Sequence, residues 1–202
     1  VHGSITGTDR SLRWLNRFMG YLAGWITMIP YTAHRHEHMA HHRYANDRVK
    51  DPDFHMGGMR DSLLAPVRVA LRAWVSQFTY YARNRWSDAP PLQNVYLSLE
   101  VAAALLPRLG VVAAGYWVEG LLLFVLSWIV GAIILVYLFA YLVHRPHEQV
   151  GRYVDTSTIL PPGSPVLRTT VNWLWMFQNY HSIHHLFPRV PFYKYPELYE
   201  EI

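Results

Sequence analysis

The chain has 202 residues, a formal net charge of +4, 51% hydrophobic and 15% aromatic residues, and no cysteine. The lack of cysteine excludes disulfides, thiolate zinc sites and iron–sulfur clusters. The length allows one domain or part of one, here read as a single domain over 1–202, and the apolar residues are gathered into runs.

The chain begins at Val1 without methionine and without a cleavable signal pattern, so a fragment is expected. His2 stands alone in Val1-His2-Gly3-Ser4. Residues 18–33 form a short apolar stretch interrupted by Gly20, Gly24 and Pro30 and preceded by Arg13 and Arg17. It lies near the lower limit for spanning a bilayer.

The pattern H-x-x-H-H follows as His38-Met39-Ala40-His41-His42. On a helix, positions i, i+3 and i+4 share a face, so the three imidazoles point one way. Imidazole is the commonest protein metal ligand. His34 lies one turn before His38 and is expected beside the ligands or at the surface, and His36 points away. The zincin pattern H-E-x-x-H is not met, because Ala40 stands where its second histidine would be. Asp51-Pro52-Asp53-Phe54-His55 reads chiefly as a polar turn around Pro52. The alternative is that its carboxylates orient ligand imidazoles by accepting their second N–H.

Between residues 63 and 86 basic and apolar residues alternate, which predicts an amphipathic helix at the headgroups, with its Arg and Trp side chains as membrane anchors. This accounts for the basic balance without a nucleic-acid partner. Residues 95–118 are mostly apolar but contain Glu100, Pro107 and Arg108. An Arg at a bilayer centre costs about 2.5–3.5 kcal/mol on insertion scales, and proline disturbs a helix. Residues 120–143 carry no charge over 24 positions, enough to cross a bilayer core of about 30 Å. The two runs predict a transmembrane helical hairpin over about 95–143 with its turn near 116–120. His144 follows directly and is placed to complete a metal site, whereas His147 lies beyond Pro146.

The second H-x-x-H-H is His181-Ser182-Ile183-His184-His185. Nine Lys or Arg residues fall within 35–91 and none in the hairpin turn, so the positive-inside rule places 35–91 in the cytoplasm. A hairpin returns 144–202 to the same side, and both boxes then share one face. The fold class expected is an all-α membrane protein, with a two-helix transmembrane hairpin plus interfacial helices carrying a cytoplasmic histidine-rich di-metal site.

The stretch from Arg35 to His42 resembles the R-x-x-H-x-x-H-H motif of the membrane fatty acid desaturase superfamily, which includes carotenoid hydroxylases and ketolases. The stretch from Asn179 to Pro188 is similar to its N-[YF]-H-x-x-H-H-x-x-P. The resemblance implies that His2 is the second histidine of a first box whose partner lies upstream of Val1, and that residues 18–33 are interfacial or re-entrant. Ala140 stands where some acyl desaturases have Asn. The ligand set it implies is His2, His38, His41, His42, His144, His181, His184 and His185. The implied cofactors are two non-haem iron ions, with O2 as co-substrate. The implied reaction is oxidation of an unactivated C–H bond in a lipid, foremost acyl desaturation. Alternatives are a carotenoid or alkane-type hydroxylase and, from another class, a non-enzymatic metal or haem carrier. No flavin or nicotinamide motif is present, so an electron donor such as a ferredoxin or a b-type cytochrome is implied.

Overall fold

The computed structural model describes residues 5–7, 9–151 and 153–202. Helices α1 (Arg13–Thr27) and α2 (Tyr31–Tyr44) are followed by a short 3-10 segment (Phe54–Arg60) and α3 (Ala65–Asn84). The apolar pair is α4 (Pro91–Ala113) and α5 (Trp117–His144). Three shorter helices complete the chain: α6 (Pro165–Leu174), α7 (His181–Leu186) and α8 (Tyr195–Glu201). Among the described residues there is no β-strand, and one isolated bridge pairs Thr158 with Tyr180.

Helices α4 and α5 are both long and apolar enough to cross a membrane. None of the most apolar window of α5 is buried against protein, unlike the core helix of a soluble domain. The hairpin turn falls at residues 114–116, slightly before the expected 116–120, because Gly115 takes a φ of 96° there. Helix α5 contains two wide π-helical stretches, Leu121–Leu126 and Tyr137–Tyr141, and tightens to a 3-10 turn at Leu142–His144. Such insertions free carbonyls and re-aim side chains, often at functional sites. Here Leu138 O accepts from Trp175 Nε1 at 3.1 Å and Tyr141 O from His147 Nε2 at 2.9 Å.

Residues 18–33 contain a helix end and a helix start, and both are held by α4. Trp25 Nε1 donates to Ala103 O at 2.9 Å, and that carbonyl is the one Pro107 leaves without its helical N–H. In return Arg108 donates to Trp25 O at 2.9 Å and Ile26 O at 3.3 Å, in the last turn of α1. Thr27 O accepts from Trp128 Nε1 and Met28 O from Trp74 Nε1, both at 2.8 Å. Helix ends within an apolar layer need such partners, since no water reaches them.

Two turns earlier on the same face of α4, Glu100 caps the start of α2 by accepting Thr32 N–H at 3.0 Å and the Thr32 hydroxyl. The acid sits at the positive end of one helix and the base at the negative end of the other. Helix α2 then climbs back along α4 to Gln93, whose side chain meets His36. The chain therefore reverses direction within this segment. Glycine permits the close crossing: a Cβ on Gly24 would lie 2.5 Å from Ile29 O, and one on Gly20 2.5 Å from the Tyr31 ring.

Helix α3 forms where amphipathicity predicts. Its Val69 and Ala73 pack with Met56, Met59 and Tyr141, against Ile133, Val136 and Ala140 of α5. The anchor reading fails for Trp74: its indole is half-buried against Trp128 and bonded to the α1–α2 turn.

Orphaning a carbonyl costs about 1–3 kcal/mol in a dry site. Arg108→Met should therefore lower the melting temperature of the protein in lipid nanodiscs, and Arg108→Lys should recover part of the loss. Equal melting of Arg108→Met and wild type would show that other donors satisfy Trp25 O and Ile26 O.

Candidate metal centre

Helix α2 presents His34, His38, His41 and His42 along one face, α5 ends on His144, and α7 carries His181, His184 and His185. The antiparallel hairpin brings the end of α5 back to the level of α2, so the three segments converge. Two groups of imidazoles result: His41, His144, His181 and His185, all buried, and His38, His42 and His184. The structure thus unites seven of the eight expected histidines; His2 lies outside the described residues.

Within the first group His41 Nε2 is 3.0 Å from His144 Nε2, His144 Nε2 is 2.8 Å from His181 Nε2, and His181 Nε2 is 3.2 Å from His185 Nε2. In the second, His42 Nε2 lies 3.1 Å from His38 Nε2 and 3.0 Å from His184 Nε2. The opposite ring nitrogens explain this convergence. His41 Nδ1 faces both Asp51 oxygens, at 3.0 and 3.2 Å. His144 Nδ1 faces Asp155 O at 3.2 Å, and His184 Nδ1 faces Tyr195 Oη at 2.9 Å. A carboxylate or carbonyl can only accept, so Nδ1 of His41 and His144 carries the proton and Nε2 presents a lone pair. Two lone pairs 3.0 Å apart repel unless a cation is shared between them. The donor sets fit metal ions, with partners that fix tautomer and ring orientation.

Asp51 corrects the preferred reading of its segment. The turn around Pro52 exists, with Asp51 accepting Asn46 N–H at 2.7 Å and Asp53 N–H at 2.9 Å. The same carboxylate also holds His41, so the segment is more than a polar turn. Asp51 and Asp53 form with His41 a third group able to hold a metal. Nothing in the sequence marks Tyr195 or the backbone of Asp155 as a partner of the histidines. Asn179, buried within the second motif, bonds Ile159 O and Asn172 Oδ1 and so fixes the turn into α7. His34 supports the centre from outside, with Nδ1 3.1 Å from Gln77 Oε1 and its ring stacked on His38. His36 meets Gln93 away from the centre, and His147 is spent on Tyr141 O.

Burial sets the protonation states. It holds His181 well below the ordinary histidine range, with neighbouring imidazoles adding to the effect, and it lowers His34 to about 4. For His41 burial pulls downward, but the hydrogen bond to Asp51 and the charges of Asp53 and Asp51 outweigh it and raise the ring. Burial pushes the Glu37 carboxyl up to about 9, reinforced by Asp53. Neutral imidazoles are the form that ligates metal.

Below the histidines lies a cavity of about 850 Å³ bounded by α1, α3 and α5. His38, His181 and His184 stand at one end, and Trp128, Phe124 and Arg108 line it farther down. It has the volume of a small-molecule or lipid-chain site.

The sequence profile of the family described as fatty acid desaturase matches residues 1–202. The chain belongs to the fatty acid desaturase family. No curated protein and no solved structure matches it. Family and apolar helices together make it a membrane protein of an oxidoreductase family, with a histidine cluster that fits a metal site.

Removing a partner that orients a ligand typically costs 10–100-fold in metal affinity. Asp51→Ala should weaken metal retention by about that factor in equilibrium dialysis against a chelator, while Asp47→Ala should not. Identical retention in Asp51→Ala and wild type would remove Asp51 from the centre.

Proposed function

We propose that this protein is a di-iron membrane oxidase that desaturates long acyl chains. The observation carrying this reading is the pairwise approach of imidazole Nε2 atoms at the head of an apolar cavity, in a chain of the desaturase family. His41, His144, His181 and His185 would hold one iron, and His38, His42 and His184 the other, with His2 the further ligand that the family pattern assigns. Bound there, the irons supply the oxidation of unactivated C–H bonds by dioxygen. Imidazole suits iron, and because imidazole carries no charge when it ligates a metal, the loaded centre would be strongly positive.

The protein's own part is to position the chain and exclude water. The cavity walls are aliphatic and aromatic, with Asp53, Gln77, Gln178 and the histidines near the centre and Arg108 far from it. A hydrocarbon chain lying along α5 passes beneath His184, and its depth selects the carbon presented. The basic residues of 35–91 favour a cytoplasmic placement of the centre. Reducing equivalents come from a ferredoxin or a b-type cytochrome, and the exposed Arg35, Arg43, Arg48 and Lys50 beside α2 suit an acidic donor.

Expression in a host that supplies both fatty acids and β-carotene tests the reading by mass spectrometry. Acyl chains lighter by two hydrogens are expected, and His184→Ala should abolish them. Oxygenated carotenoid or alkane products in place of unsaturated chains would move the assignment to hydroxylation. Full turnover by His184→Ala would refute the metal assignment.

A further inference from the structure

We infer that Gly131 sets the length of hydrocarbon chain that the cavity accepts. The inference rests on the cavity being the seat of the oxidised chain. Along α5 one row of lining residues runs Leu123, Ser127, Gly131, Leu135 and Phe139. At 1.5 Å per residue this row covers about 24 Å. Its Phe139 end adjoins the turn that carries His144, and its Leu123 end adjoins Phe124, which stacks against Arg108. Gly131 lies about 20 Å from His144 along the helix axis, and about 12 Å of wall continues beyond it.

The glycines of the helices differ in what lies in front of them. At Gly120 a Cβ would strike Val112 at 2.7 Å, and Gly20 and Gly24 are pressed by Tyr31 and Ile29. At Gly131 a Cβ would meet no heavy atom within 4 Å. Gly131 lines the cavity, so the open space before it is cavity volume. Trp128 and Trp74, which line the same cavity, are held in place by their bonds to Thr27 O and Met28 O. A larger side chain at 131 must therefore occupy cavity volume. It leaves the part nearest the histidines open and closes the part beyond. Long chains lose their distal methylenes' place, and short chains lose nothing.

Gly110 supplies the control. It lies exposed on α4, outside the cavity lining, and a Cβ there also meets nothing within 4 Å. A leucine at 110 alters helix and lipid contact without touching the cavity. The experiment uses the full chain in lipid nanodiscs and cis-parinaric acid as a fluorescent occupant, displaced by saturated fatty acids from octanoic to stearic. Excluding even two methylenes weakens binding about tenfold. In Gly131→Leu, stearic acid should displace at least about tenfold more weakly than in wild type, with octanoic acid unchanged. Gly131→Ala should fall between, and Gly110→Leu should match wild type at every length. A Gly131→Leu effect equal at all lengths, no effect, or the same profile in Gly110→Leu would overturn the inference alone. Failure of any fatty acid to displace the fluorophore from wild type would overturn the reading of the cavity as well.

Discussion

The architecture depends on satisfying backbone carbonyls where a helix ends inside an apolar layer. Helix α1 stops among α4 and α5, and its last carbonyls find Arg108, Trp128 and Trp74. The reciprocal bond from Trp25 fills the gap that Pro107 opens in α4. Glu100 then restarts the chain as α2 in the opposite direction. Without this reversal, box one would stand at the other end of the hairpin from box two. Glu100 and Arg108 of α4 thus hold the reversal that brings the first box to the end of α5 carrying His144.

A second constraint works at the other end of α2. Each of three histidines from three segments has its Nδ1 engaged by a different kind of partner: a carboxylate, a backbone carbonyl and a phenol. The common outcome is that Nε2 points inward. Orientation is thus set by residues outside the two boxes, and the centre is organised by long-range contacts. The 3-10 turn at Leu142–His144, following the wide turns of α5, delivers His144 into the group at the point where the helix leaves the apolar layer.

Much of this was legible in the sequence. The spacing of the boxes gave the ligand faces, the charge-free run of 120–143 gave α5, and the basic alternation gave α3. What escaped depends on partners remote in the chain. Hydropathy weighs Glu100, Pro107 and Arg108 singly, as defects in a spanning helix, whereas each is matched to a group on α1 or α2. Asp51 and Tyr195 are ordinary residues until folding sets them against His41 and His184, and the carbonyl of Asp155 has no sequence signal at all. Helix α6 has only a local start signal in Ser164 and Pro165, with Ser164 Oγ accepting Leu167 N–H at 3.3 Å.

The central claim is that two groups of converging imidazoles hold two metals. Elemental analysis of the purified chain, joined to its absorption spectrum, addresses this most directly. The account predicts iron at about two per chain with no haem band, falling when His42 or His185 is replaced by alanine. A chain that purifies folded with no bound metal, with a single haem, or with unchanged iron in both variants would contradict it.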